Sequence, residues 1–226
     1  MQTKSIINLA ICLILFTMSI GFCGSLKKAT LQFPSTQAAI EQDNVINLIK
    51  PPELFNDLSI LGGPLATRKQ CVEYINRKNP LPLIIISVDK LVDIFYEEGM
   101  KEGVRPDVAL AQSLHETGNF RYGGDVLPLQ NNYAGIGAIG NKVKGASFST
   151  PTLGIKSQIQ HLLAYSTTKL PVAPIVDPRY GLLTKIPAKY GQIKTWQGLS
   201  GNWAVPGVGY GDKILKIHRE ILAMPI

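Results

Sequence analysis

The chain has 226 residues, 45% of them apolar, and a formal charge of +7. That is enough apolar material for one domain of ordinary size with its own core, and too much for a disordered chain. Only Cys71 lies beyond the first 25 residues, which excludes an internal disulfide framework as the source of stability.

The first five residues carry one positive charge, at Lys4, and residues 6–22 are apolar apart from Asn8, Thr17 and Ser19. This is the pattern of a secretory signal peptide, with Gly21 and Cys23 as the small residues before a cleavage site. If uncleaved, the same segment is long enough to remain as an anchor. Bulky Phe22 disfavours a lipid-modified Cys23. Residues 1–24 are therefore read as a signal peptide or N-terminal membrane anchor, and the remainder as secreted or held in the cell envelope. Removing the leader takes away only Lys4, leaving 22 basic and 16 acidic residues, a formal charge of +6. A cationic exported protein is attracted to polyanions, and the anionic cell wall is the expected one. Export and the scatter of the basic residues argue against nucleic acid.

Residues 25–63 are mixed and polar, with Pro34, Pro51-Pro52 and Gly62-Gly63, and read as a spacer with one short helix over 36–49. The domain is expected over 64–226. Thr67 caps a helix carrying Val72, Cys71 and Ile75, which ends at Asn79-Pro80. Ser87 caps the next, with Leu91, Ile94 and Phe95 as its apolar stripe. Pro106 and Asp107 open a third helix, suited to its first turn and to the positive end of its dipole. Its body, Val108 to Leu114, is mostly small and apolar, which predicts burial on several sides. Gly118 ends it.

Glu116 thus falls in the last turn of a buried helix, where the negative end of the dipole disfavours a carboxylate. Partial burial adds to the same effect. A carboxyl that stays protonated near neutral pH is what a glycosidase needs as general acid. Taken alone, such a glutamate is more commonly a solvated helix end, or a partner for Arg105 or Arg121. The sequence that follows alters the balance. Residues 118–151 are rich in Gly and Asn and lack helical periodicity, which predicts loops and short strands. A long helix follows from Thr150-Pro151 to about Thr168, then proline-rich turns, then a C-terminal helix from Tyr210 to Leu222. The fold class is α+β, mainly α, with a small irregular β-lobe inserted after the Glu116 helix.

Several blocks occur in a meaningful order: Ala109-Leu-Ala-Gln-x-x-x-Glu116-Thr-Gly, Asn131-Asn-Tyr-Ala-Gly-Ile-Gly137, Phe148, and the helix Gly154 to Tyr165. Asp177-Pro-Arg-Tyr180 and Trp203-Ala followed by Tyr210-Gly-Asp-Lys-Ile-Leu215 come after them. This series resembles the bacterial glucosaminidase domain (glycoside hydrolase family 73, mannosyl-glycoprotein endo-beta-N-acetylglucosaminidase-like), from about Gly62 onward. The resemblance implies a lysozyme-like domain that cleaves the β-1,4 bond on the reducing side of N-acetylglucosamine in peptidoglycan. It implies Glu116 as the general acid.

The second catalytic element stays open. Residues 126–176 hold no Asp or Glu, unlike family members whose β-lobe supplies a second acid. Asp125 is the best-placed carboxylate, and Asp177 is expected to cap a turn or pair with Arg179. The alternative is attack by the substrate's own acetamido group, supported by an aromatic residue. Tyr133 and Trp203 are expected to line the cleft. Tyr165, Tyr180 and Tyr210 are further aromatic candidates for contact with sugar. Asn132 is a turn former that could orient the acid or the acetamide, and Gly135 lets the backbone approach the sugar. His115-Glu116 lacks the second histidine of a helical zinc motif, because position 119 is Asn119. No metal or cofactor is expected, His161 is read as structural, and the protein is read as a monomer. The partners expected are peptidoglycan strands and anionic wall polymers. Three alternatives remain: a lytic transglycosylase, a muramidase, or a non-catalytic wall-binding module.

Overall fold

A computed structural model describes residues 58–138 and 144–226. The leader, the remainder of the spacer and the helix expected over 36–49 lie outside the described residues. Six α-helices are described: α1 (Arg68–Lys78), α2 (Val88–Glu102), α3 (Pro106–Glu116), α4 (Pro151–Ser166), the single turn α5 (Tyr180–Leu183) and α6 (Tyr210–Leu222). Short 3₁₀ turns occupy Pro128–Gln130 and Gln197–Leu199. No described helix is long and apolar enough to cross a membrane.

The helix starts follow from local chemistry. Thr67 and Gln70 form a reciprocal capping box at α1, Ser87 accepts from the backbone of Lys90 at α2, and Thr150 accepts from Leu153 at α4. α3 is the centre of the domain, and every residue from Pro106 to Leu114 is buried. It packs between α2 and α6, while α2 also meets α1 and α4. Such an enclosed helix cannot show one apolar stripe, as its composition indicates.

The domain begins earlier than the sequence suggests. Leu58 and Ile60 belong to the core, so residues 58–63 are not spacer. The Ile60 amide donates to the Lys194 carbonyl, while the Ile60 carbonyl accepts from the Arg105 amide. This segment threads between two distant stretches through the bridges Ser59–Thr195 and Leu61–Val104. Its partners lie far along the chain, so no local pattern announces it. The lobe between α3 and α4 is irregular, with one isolated bridge, Ala138–Lys144, among its described residues. The mainly helical, lysozyme-like architecture stands, with few strand residues.

Asp107 fixes the start of α3. Its carboxylate accepts from the amides of Leu65 and Ala66 at 2.8 Å each and pairs with His218 Nε2 at 2.8 Å. Both side chains of that pair are wholly buried. Burial pushes the carboxyl up, but His218 and the two amides outweigh it and hold Asp107 below its ordinary value. Because its folded pKa is depressed, its contribution is complete above the unfolded-chain value and drains away as pH falls through the folded one. Asp107→Ala should cost about 3–5 kcal/mol in denaturant unfolding at pH 7, with a smaller difference from wild type near pH 3. An equal difference at both pH values would show that the charge contributes nothing.

Cys71 is buried, with Sγ 3.5 Å from the Tyr96 hydroxyl, and burial pushes its thiol up to about 12. It is an inert core group.

Candidate active site

α3 delivers Glu116 at its C-terminal end, where the chain leaves the core. Thr117 Oγ1 donates back to the Ser113 carbonyl at 2.7 Å and accepts from the Phe120 amide at 2.9 Å, which closes the helix. Gly118, Asn119, Phe120 and Tyr122 then all take left-handed φ near +58°. Three of these are not glycine, so the turn is strained and depends on its packing. The buried Phe120 ring supplies part of that packing.

Glu116 is exposed as a residue, while Tyr210, Trp203 and Gly135 surround its carboxyl end. Burial raises its pKa to about 6, against the opposing hydrogen bonds of Tyr210 and Trp203. The Tyr210 hydroxyl donates to Glu116 Oε1. That hydroxyl ends a buried chain. Gln112 Nε2 donates to it at 2.9 Å, Gln158 Nε2 donates to Gln112 Oε1 at 2.9 Å, and Ser113 Oγ donates to Gln158 Oε1 at 2.8 Å. Gln158 Nε2 also donates to the Ala109 carbonyl at 2.9 Å. A carbonyl only accepts, so it fixes which way the Gln158 amide faces. Gln158 then fixes Gln112, and Gln112 leaves Tyr210 free to donate only toward Glu116. The direction of the whole chain is set at one backbone oxygen.

Glu116, Tyr122, Asp125, Asn132 and Gly135 line one hollow of about 230 Å³. His161, Tyr165, Arg179, Lys189 and Trp203 line another of about 200 Å³. Gly135 and Ala138 line both, so the two adjoin as parts of one cleft. Each is smaller than a drug-sized pocket. A Cβ on Gly135 would lie 3.5 Å from Glu116 Oε2, so this backbone faces the second carboxyl oxygen.

The structure brings together Glu116, Asp125, Gly135, Tyr165 and Trp203. Four expected residues play other parts. Tyr210, expected to contact sugar, is buried and lines neither hollow; it holds Glu116 instead. Tyr133 does not line the cleft. It is 1% exposed and meets Phe95 and Phe120 edge-on, at 6.4 and 6.1 Å, in the core. Asn132 lines the first hollow, but its amide donates to the carbonyls of Ile136 and Ala146 and accepts from the Ile136 amide. It therefore shapes the loop that carries Gly135 rather than offering hydrogen bonds to a ligand. Tyr180 is buried at the start of α5 and lines neither hollow. Tyr165 is mostly packed as well, its hydroxyl donating to the Asn202 carbonyl at 2.8 Å, with one face left to the second hollow.

Other site residues were not foreseen. His161 Nδ1 lies 2.7 Å from Asp177 Oδ2, while Asp177 Oδ1 accepts from the Arg179 amide and caps that turn. The His161 ring meets Trp203 edge-on at 4.9 Å and holds it at the cleft wall. Tyr122 lines the first hollow, its hydroxyl buried without a hydrogen-bond partner among the described residues. Gln112 and Gln158 had a readable signal, since a buried glutamine needs partners. Among the described residues, no group of three His, Cys, Asp or Glu could hold a metal ion.

The loop over 131–137 is seated on α4. A Cβ on Gly154 would fall onto the Asn131 carbonyl oxygen, and the Asn131 amide donates to the Phe148 carbonyl at 2.9 Å. Only glycine permits that approach. Gly154→Ala is expected to shift the loop and its Gly135 away from Glu116, lowering glycan cleavage at least about tenfold while α-helical circular dichroism is retained. Unchanged cleavage would separate the loop from the site.

A family model described as glucosaminidase, mannosyl-glycoprotein endo-beta-N-acetylglucosaminidase, matches residues 92–222. The chain belongs to the glucosaminidase family. The match spans the Glu116 helix, the loop lobe, α4 and α6, which together build the cleft. An uncharacterized protein of Borreliella burgdorferi is 40% identical over 135 residues, covering 60% of this chain and 63% of that protein. The chain thus spans less than two thirds of that relative's length. No solved structure matches the chain significantly. Family membership supports a glycoside-hydrolase, peptidoglycan-hydrolase-like function.

Proposed function

We propose that this domain is an endo-beta-N-acetylglucosaminidase of the bacterial wall, cleaving the β-1,4 bond on the reducing side of N-acetylglucosamine. The observation that carries this reading is the Glu116 carboxyl, raised to about 6 and oriented by Tyr210 where the two hollows meet. With Tyr210 donating to Oε1, this reading puts the acidic proton on Oε2, the oxygen nearest Gly135 and the cleft. From there it is given to the glycosidic oxygen as the bond breaks. Export through the N-terminal leader would bring the domain to its substrate, and its positive charge would hold it near anionic wall polymers.

Asp125 is the candidate second carboxylate because it lines the same hollow as Glu116. It would stabilise the positive charge developing on the sugar or activate water. The substrate's acetamido group could instead attack the anomeric carbon, with Tyr122 beside it. Asp125→Asn should lower kcat by about 10²-fold or more under the two-carboxylate scheme, with an unchanged melting temperature. A loss of only a few-fold would favour the acetamido route.

The reaction itself is tested by digesting peptidoglycan with the protein, reducing the new ends with borohydride, and weighing the products by mass spectrometry. Reduced N-acetylglucosamine ends are expected. Reduced muramic ends or anhydro ends would replace this reading with a muramidase or a lytic transglycosylase. No release from several wall types would leave a binding module.

A further inference from the structure

The second hollow differs in charge from the one that holds Glu116. Arg179 and Lys189 line it, and none of its described lining residues is Asp or Glu. The nearby Asp177 is fully buried, with both oxygens already used by His161 and the Arg179 amide. Lys189 Nζ gives one hydrogen bond, to the Asn202 carbonyl at 3.2 Å, which leaves donors for another partner. Burial raises the Tyr165 hydroxyl, and the Arg179 guanidinium is close enough to oppose that shift, so its charge reaches the tyrosine on this wall. Trp203 presents a half-buried ring suited to a sugar face, and Leu182 and Ile186 form an exposed apolar rim.

We infer that this hollow binds the sugar next to the scissile bond through a carboxylate hung from that sugar, and so selects acidic wall glycan over neutral chitin-type glycan. The inference rests on the hydrolase reading above. A muramic-acid residue carries this chemistry in two forms. When the stem peptide is absent, its lactyl ether ends in a carboxylate. When the peptide is present, the peptide's own carboxylates are the anions. Arg179 and Lys189 meet the charge, and the rim residues meet the lactyl or alanyl methyl group. A neutral glycan would leave both cations unpaired in the hollow and gain nothing from them.

Partly exposed ion pairs are each worth up to about fivefold in affinity, so two together should give about tenfold. The test uses the full chain and three glycans: peptide-bearing strands, strands stripped of peptide, and stripped strands with their carboxyls amidated. Wild type is expected to cleave either charged form with kcat/KM about tenfold above the amidated one, the difference lying in KM. Preference for the stripped strands assigns the lactyl carboxylate, and preference for the peptide-bearing strands assigns the stem. In an Arg179→Gln, Lys189→Gln double variant the ratio of charged to amidated substrate should collapse toward one. Equal rates on all three in wild type, or an equal loss on all three in the variant, would overturn the inference. Binding by the Glu116→Gln protein, measured by titration calorimetry with the same three glycans, decides the matter apart from turnover. If wild type cleaves none of them, the hydrolase reading fails, and the binding ratio still supports or overturns the anion site.

Discussion

Glu116→Gln should remove glycan cleavage to background, a loss of at least about 10²–10⁴-fold, while the melting temperature stays within a few degrees of wild type. Glutamine keeps the shape and can still accept from the Tyr210 hydroxyl. What it lacks is a transferable proton. The same assignment fixes the pH profile. A general acid must be protonated, and Glu116 is raised to about 6, so activity should fall as pH climbs past 6. Tyr210→Phe removes one of the two hydrogen bonds that favour the ionised form. The carboxyl should then hold its proton to higher pH, and the alkaline limb should move upward even as the rate falls. A limb that stays in place in Tyr210→Phe, or full activity in Glu116→Gln, would defeat the assignment.

Much of this was legible in the sequence because it is local chemistry. Thr67, Ser87, Pro106 and Thr150 start their helices as cap and first-turn residues should, and Glu116 was marked by its place at the end of a buried helix. What the sequence hid is set by distant contacts. Leu58 and Ile60 looked like spacer because their partners are Lys194, Trp196 and Arg105. Tyr133 looked like a cleft aromatic because it sits among Gly and Asn residues, yet Phe95 and Phe120 draw its ring inward. His161 looked structural, and it is, since it pairs with Asp177. The same pairing sets its ring against Trp203 at the cleft wall, and no spacing in the chain predicts that.

The glutamine chain is the clearest case of function concealed in packing, and it carries the second large expected effect. Gln112 and Gln158 are 0% exposed, so neither touches substrate. Their part is to make the Tyr210 hydroxyl a donor toward Oε1, which under the proposed mechanism leaves the catalytic proton to Oε2. Gln112→Met keeps the volume but cannot donate. Tyr210 is then free to turn, and the proton is shared between the two carboxyl oxygens or lost from the productive one. The expected result is a fall in kcat of about 10–100-fold with KM little changed, since binding is untouched and only the reacting geometry suffers. The variant should also lose about 1–3 kcal/mol of stability, because Gln158 Nε2 is left with one unmet hydrogen. Stability alone would not shift the pH profile. The positioning role would, because a Tyr210 that no longer donates firmly to Glu116 should move the alkaline limb upward, as Tyr210→Phe does. Gln158→Met should give a weaker version of both effects, being one step further from the acid. If Gln112→Met loses stability but keeps kcat and the wild-type pH limb, the chain is only a core hydrogen-bond network, and the proton finds Oε2 without it.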